Sequence, residues 1–88
     1  MNKTFSDYAW EDYLRWQKED KKTLNKINVL LKDIDRNRHE GLGHPKPLKD
    51  DLAGYWSREI DKKNRLVYSI TEDEKIHILQ CKGHYDDK

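Results

Sequence analysis

Six polar residues in the later part of this 88-residue chain have the side-chain types that metal-free RNA cleavage requires. Such cleavage needs a base for the 2′-hydroxyl proton, a cation for the charge that grows on the phosphate, and an acid for the leaving 5′-oxygen. The six candidates are Lys46, Lys49, Glu59, Arg65, His84 and Tyr85. The same residues could be ordinary surface charges with Tyr85 packed at a sheet edge, and their types alone leave both interpretations open.

Other catalytic and metal-binding patterns are weak in this sequence. Cys81 and His84 have the spacing of half a zinc site, but the second half of the usual signature is missing. Three further histidines are available as ligands: His39, His44 and His77. The chain lacks a phosphate-binding glycine loop and a Gly-x-Ser-x-Gly elbow. We therefore expect neither a metal nor a cofactor.

The composition indicates one small folded domain over residues 1–88. Charged residues make up 40% of the chain, yet aromatic residues make up 10% and are spread along it, which favours a fold over disorder. No apolar run approaches the length of a membrane span, and the N-terminal "MNKTFSDYAW" lacks the apolar segment of a signal peptide. We therefore expect a cytoplasmic protein that has no membrane partner.

The net charge of +1 is unevenly distributed along the chain. Residues 6–20 hold five acidic against two basic side chains, whereas residues 21–38 hold six basic against two acidic ones. A solvated helix face is the commoner cause of such a basic run, and a surface for RNA phosphates is the alternative.

The elements that must position these residues follow from periodicity and turn signals. A short strand over residues 2–6 precedes a helix over 7–19, for which Ser6 is the expected N-cap. Apolar residues at helical spacing predict a second helix over 21–37, and "YWSREI", "RLVYSI" and "KIHILQCKGHY" predict three strands. We therefore predict an α+β fold of order β-α-α-β-β-β, in which a helical hairpin packs on one face of an antiparallel sheet.

The alternation of side chains along the predicted strands allows one inference about the candidate residues. Trp56 and Ile60 alternate with polar neighbours in one strand, and Leu66 and Tyr68 do so in the next. If these apolar residues face the core, Glu59 and Arg65 must both lie on the opposite, open face of the sheet.

Several longer motifs resemble a known family. "HPKPLKDDLAGYWSREI", "NRLVY" and the late "GHY" look like the YoeB family of toxins, within the RelE/ParE group of bacterial toxin–antitoxin modules. The resemblance runs collinearly over residues 3–85. It implies a RelE-like, microbial-ribonuclease-like fold and endoribonuclease activity on mRNA in the ribosomal A site, which gives a 2′,3′-cyclic phosphate and a 5′-hydroxyl.

The resemblance also implies partners. A YefM-like antitoxin would neutralise the toxin, the toxin would form a homodimer, and operator DNA would be bound only through the antitoxin complex. Two alternatives stay open, namely a module that binds the ribosome or the antitoxin without cutting RNA, and a ParE-like gyrase inhibitor. The histidine in "GHY" favours RNA chemistry over gyrase binding.

Residue by residue, the resemblance assigns roles at matching positions. Arg65 corresponds to the arginine that stabilises the phosphorane, His84 to the general acid, and Tyr85 to the tyrosine that places the scissile nucleotide. Lys49 corresponds to a phosphate-binding lysine. We further expect RNA contacts from Arg58 and from the basic residues of the second helix, Lys21, Lys22, Lys26 and Arg36.

Two positions depart from the family pattern. The family usually has Glu, the general base, where this chain has Lys46, and Arg where this chain has Glu59. The two charges look exchanged across a contact, so we expect Glu59 to be the base and Lys46 to orient it and bind phosphate. A Lys46 base is the alternative, but it would have to be deprotonated beside an acid, which favours the charged form.

Overall fold

The computed structural model describes residues 1–85. Its elements in chain order are β1 (Asn2–Phe5), α1 (Asp7–Glu19), α2 (Lys21–Asn37), β2 (Lys46–Pro47), β3 (Trp56–Glu59), β4 (Arg65–Ile70) and β5 (Lys75–Gln80). A 3₁₀ turn, Asp50–Leu52, lies between β2 and β3. The predicted α+β class is confirmed, and both helices have the predicted bounds.

The helical hairpin is defined by capping side chains. Ser6 Oγ accepts a hydrogen bond of 3.0 Å from the backbone N–H of Ala9, which begins α1. Asp20 begins α2, because its carboxylate accepts from the backbone N–H groups of Lys22 at 3.1 Å and Thr23 at 3.2 Å. Hydrogen bonds from Thr23 lower the pKa of the Asp20 carboxyl. One residue therefore separates the two helices, and the join is tight.

The sheet differs from the prediction in two respects. Its strand order is β1-β5-β4-β3-β2, and β1 pairs with β5 in parallel, so the sheet is mixed rather than antiparallel. The parallel pair arises because the helical hairpin carries the chain away from β1 before the later strands return beside it. The additional strand β2 has only two residues. The sequence pattern did not predict it, because it is flanked by Pro45 and contains Pro47, and proline is uncommon within a strand.

The last strand is also shorter than predicted. Strand β5 ends at Gln80, and the chain then turns at Gly83, whose φ is +77°. His84 and Tyr85 therefore lie beyond the strand rather than within it. The three residues that extend past the usual end of the family pattern, 86–88, lie outside the described residues.

The core lies between the helical hairpin and one face of the sheet. Its fully buried apolar side chains are Ala9, Ile27, Leu30, Ile34, Leu66, Tyr68, Ile76 and Ile78. Trp16 Nε1 donates a 2.9 Å hydrogen bond to the carbonyl of Cys81, which ties α1 to the turn after β5. Burial raises the pKa of the Cys81 thiol to about 12, so this side chain packs as an inert apolar group.

Within residues 1–85, neither helix combines the length and the apolar character that crossing a membrane would require.

Candidate functional site

Three of the predicted site residues come together at one end of the sheet. The register of β3 and β4 places Glu59 directly opposite Arg65, which confirms that the two share one face. The backbone N–H of Arg65 donates a 3.0 Å hydrogen bond to the carbonyl of Gly83, the residue before His84. Glu59, Arg65 and His84 thus follow one another across neighbouring segments, and we call them the site row.

The turn that presents His84 is anchored to β4 and to its own strand. The backbone N–H of Gly83 donates to Asn64 Oδ1 at 2.8 Å. Gln80 Nε2 donates to the carbonyl oxygens of Lys82 and Gly83 at 3.2 and 3.3 Å. The position of His84 is therefore set by hydrogen bonds to the backbone just before it rather than by strand pairing.

Tyr85 joins the row to an open cleft. Its ring stacks on that of His84, with a centroid distance of 4.3 Å. Tyr85 also lines a cleft of about 590 Å³, which we call the lysine cleft. The other lining residues are Lys46, Pro47, Leu48, Lys49, Asp50, Asp51 and Leu52. Both predicted phosphate-binding lysines therefore share a concave surface with the predicted nucleotide-placing tyrosine.

The side chain of Arg65 is turned toward the β3–β4 turn. Its Nη1 donates to the carbonyl oxygens of Asp61 at 2.6 Å and Asn64 at 3.2 Å. Partial burial acts to raise the pKa of the Asp61 carboxyl, but hydrogen bonds from Asn64 and the backbone N–H of Lys63 outweigh it and lower that pKa. A phosphate would therefore compete for this guanidinium with two backbone carbonyl groups and with the attraction of the nearby Asp61 carboxylate.

Lys46 does not face Glu59 as the exchange of charges suggested. The β2–β3 register pairs Lys46 with Ser57, two residues away from Glu59. His44 contacts Glu59 instead, with its Nδ1 3.6 Å from Glu59 Oε1. The backbone N–H of Glu59 donates a hydrogen bond to the carbonyl of Gly43, which holds the chain just before His44 against β3.

Arg58 is not available to RNA, which corrects the expectation for that residue. Its side chain is 0% exposed and forms an ion pair with Asp33. Its guanidinium also donates to the carbonyl oxygens of Arg38 and Glu40, both at 2.7 Å, and of Leu42 at 3.0 Å. The hydrogen bond from Arg58 lowers the pKa of the Asp33 carboxyl. Arg58 therefore organises the segment that leads to β2.

The basic residues of α2 lie on a different element from the site row. Lys21, Lys22, Lys26 and Arg36 are all exposed along this helix. Their exposure is what both a solvated face and a phosphate-binding face require.

Among residues 1–85, no group of three or more His, Cys, Asp or Glu side chains has a geometry that could hold a metal ion.

With this geometry in view, the chain can be compared with known proteins. A family model described as the YoeB-like toxin of bacterial type II toxin-antitoxin system matches residues 5–85. The chain belongs to this family. Toxin YoeB of Streptomyces coelicolor is 48% identical over 85 residues, which cover 97% of this chain and 100% of that protein.

Solved structures agree in fold with this YoeB-like toxin. The YoeB dimer from Staphylococcus aureus superposes with a TM-score of 0.89 at 52% identity, covering 97% of this chain and 98% of that chain. The toxin in the heterotetrameric YoeB–YefM toxin–antitoxin complex from the same organism gives a TM-score of 0.89 at 51% identity, with the same coverage.

The sequence does not indicate where two residues near the site of this YoeB-like toxin lie. It presents His44 only as a possible metal ligand, because β2 is too short for its pattern to show that this residue lies beside Glu59. Arg58 is buried, whereas we expected it to contact RNA at the surface. The alternation of the strand indicates its burial, because Arg58 is two residues from both Trp56 and Ile60 and therefore points to the same core face.

Proposed function

We propose that this YoeB-like toxin is a metal-free endoribonuclease that cleaves mRNA in the ribosomal A site and thereby inhibits translation. The observation that carries the proposal is the site row, in which a carboxylate, a guanidinium and an imidazole follow one another at one end of the sheet. These are the base, the cation and the acid that attack by a 2′-hydroxyl requires.

In the proposed reaction, Glu59 takes the proton of the 2′-hydroxyl. The 2′-oxygen attacks the adjacent phosphorus, and the bond from phosphorus to the 5′-oxygen breaks. The protonated imidazole of His84 donates a proton to that 5′-oxygen. Glu59 gains one proton and His84 loses one, so the reaction consumes no water. Its products are a 2′,3′-cyclic phosphate and a 5′-hydroxyl.

Arg65 would stabilise the charge that develops on the phosphorane. Its guanidinium would exchange the neutral carbonyl groups of Asp61 and Asn64 for anionic phosphate oxygens, which attract the cation more strongly and can accept two parallel hydrogen bonds from it. Lys46 and Lys49 would bind neighbouring phosphates along the lysine cleft, and Tyr85 would place the nucleotide at the junction of cleft and row. Exposed basic residues on α2 would meet ribosomal RNA.

We extend the proposal to the partners. Structures of YoeB from Staphylococcus aureus include a dimer and a heterotetrameric complex with YefM, so a homodimer and a YefM-type antitoxin are the partners proposed here. The blocking segment of the antitoxin should be acidic and partly apolar, because it must cover the lysine cleft and the basic helix. Operator DNA would be bound only through that complex.

The experiment is a translation reaction programmed with a defined mRNA, in which cleavage and the end groups of the fragments are measured. The chain should cut the mRNA and leave 2′,3′-cyclic phosphate ends. His84→Ala should lower the rate by on the order of a hundredfold or more while circular dichroism and melting stay unchanged. The matched control is His77→Ala on the same sheet, which should cut as the parent chain does.

Two outcomes would overturn the proposal. Stalled translation without cut mRNA would identify a binding module that does not cleave. Inhibition of gyrase supercoiling by a chain that leaves mRNA and translation intact would identify a ParE-like activity instead. Full cleavage by a well-folded His84→Ala chain would remove His84 from the mechanism.

A further inference from the structure

His44 contacts the proposed base through a geometry that the backbone sets. Its Nδ1 lies 3.6 Å from Glu59 Oε1, and the backbone N–H of Glu59 donates a 2.7 Å hydrogen bond to the carbonyl of the preceding residue, Gly43. This hydrogen bond joins the chain just before His44 directly to β3, one residue out of step with the pairing of Lys46 and Ser57. The backbone therefore holds His44 beside Glu59 where the regular β2–β3 pairing ends.

The interior supports the same geometry from the other side. Arg58, which is buried, donates to the carbonyl of Leu42 at 3.0 Å and fixes the chain just before Gly43. A Cβ at Gly43 would meet Arg58 Cβ at 3.2 Å and the Glu59 carbonyl at 3.1 Å, and the φ of Gly43 is +79°. Only glycine meets both requirements easily, so the chain approaches β3 as closely here as backbone atoms allow.

Nitrogen-bearing side chains flank Glu59 on both sides. Arg65 is its cross-strand partner on β4, and His44 lies against it from the β2 side. Glu59 is 48% exposed and His44 is 86% exposed, so packing does not explain a histidine at this position. A side-chain N–H beside a carboxylate can hold it in one orientation, which a general base needs.

We propose that His44 is a positioning residue for Glu59, and that its Nδ1–H orients the Glu59 carboxylate toward the substrate. The proposal rests on the proposed ribonuclease function and assigns the base of that reaction as a pair, in which Glu59 takes the proton and His44 holds the carboxylate. The pair replaces the acid that the family pattern has where this chain has Lys46. His44 itself takes no proton from the RNA.

The test compares His44→Asn and His44→Lys in the mRNA cleavage assay. The backbone at His44 has φ of +52°, which asparagine tolerates, so His44→Asn should leave the fold intact. We expect a loss of about tenfold in kcat with KM nearly unchanged. His44→Lys, which keeps a long side chain with an N–H donor, should restore most of the rate.

A double variant separates positioning from a general structural effect. If His44 acts through Glu59, adding His44→Asn to a Glu59→Gln chain should change the residual rate by less than about twofold. His77→Asn is the matched control, since that histidine hydrogen-bonds Thr4 at the far side of the sheet. It should leave the rate unchanged.

The outcomes also separate this inference from the proposed function. If the parent chain cuts mRNA and His84→Ala does not, while His44→Asn keeps the parental kcat, the role of His44 is refuted and the ribonuclease stands. A loss in His44→Asn that lies in KM rather than in kcat, or that His44→Lys does not rescue, refutes the positioning role as well. If the parent chain itself does not cut, the function fails first.

Discussion

The backbone N–H of Arg65 donates a 3.0 Å hydrogen bond to the carbonyl of Gly83, so the proposed cation and the residue before the proposed acid are held together by main-chain atoms. Asn64 strengthens the same junction, because its Oδ1 accepts from the backbone N–H of Gly83 at 2.8 Å. Substitutions of the two reactive side chains therefore leave the frame between them intact. Substitutions of the frame should impair both residues at once.

The first prediction concerns Asn64. Asn64→Ala removes the hydrogen bond to Gly83 and the contacts with Asp61, so the segment that carries His84 loses its side-chain anchor. We expect the free energy of unfolding to fall by about 1 kcal/mol, and cleavage to fall by about tenfold because the acid is displaced. Lys62→Ala, in the same turn, is the control. Equal loss of activity in both variants would contradict a specific role for the anchor.

The second prediction compares a buried and an exposed arginine. Arg58→Met removes the buried cation that pairs with Asp33 and a donor to three backbone carbonyl groups, and should lower the free energy of unfolding by about 3–5 kcal/mol. Arg38 forms an exposed bidentate pair with Glu74 at 2.9 and 3.0 Å, so Arg38→Met should cost less than about 1 kcal/mol. Urea unfolding of both variants measures the contrast, and similar losses would contradict the structural role of Arg58.

The third prediction concerns pH and His39. Its ring stacks on Trp56 with a centroid distance of 4.1 Å, and burial, followed by the charges of Arg38 and Arg58, lowers the pKa of His39 from its ordinary 6.5. The unfolded chain therefore binds the proton first, and stability should fall as pH drops from about 6.5 toward the lower folded pKa.

His39→Gln should abolish this part of the pH dependence. Urea midpoints of the parent chain and the variant, compared between about pH 7 and pH 5, provide the measurement. Tyr68 faces the same ring, with its hydroxyl 3.3 Å from His39 Nδ1, and it stays neutral over this range because burial raises its pKa above the ordinary 10.0. Parallel pH curves for the two chains would show that His39 does not contribute.

The fourth prediction concerns the basic residues of α2. If Lys21, Lys22, Lys26 and Arg36 contact RNA phosphates, replacing all four with Gln should flatten the dependence of ribosome affinity on salt. Each lost contact should reduce the slope by roughly 0.7, the value for single strands. A control that replaces Lys18 and Lys75 should leave the slope unchanged. An unaltered slope in the fourfold variant would identify the run as a solvated helix face.

The parts of the fold that local chemistry governs could be predicted from the sequence. Ser6 and Asp20 cap the helices through hydrogen bonds to residues two and three positions away, so a short window contains the whole signal. The open face shared by Glu59 and Arg65 followed from alternation alone. The pairing of β1 with β5 could not be predicted in this way, because it joins residues such as Thr4 and His77 and depends on how the whole chain returns.

The site was predictable to the same extent. Side-chain types and family motifs indicated Arg65, His84 and Tyr85, but not which residue lies against Glu59. That contact depends on how the chain before a two-residue strand meets β3, where Lys46 pairs with Ser57 and Glu59 bonds to the backbone of Gly43. The hairpin turn that usually fixes register is replaced here by an eight-residue connection, residues 48–55, with its own 3₁₀ turn.

The place of β5 in the sheet has consequences for how the protein matures during synthesis. This strand is made after the other four strands of the sheet, yet it lies between β1 and β4 and pairs with both. While residues 75–85 are still inside the ribosome they cannot insert, so β1 lacks its only strand neighbour among the described residues until that segment has emerged. Such late, long-range closure slows folding relative to local pairing. We therefore expect a nascent chain to be harmless to the ribosome that makes it, and activity to begin only once residues 75–85 are free to join the sheet.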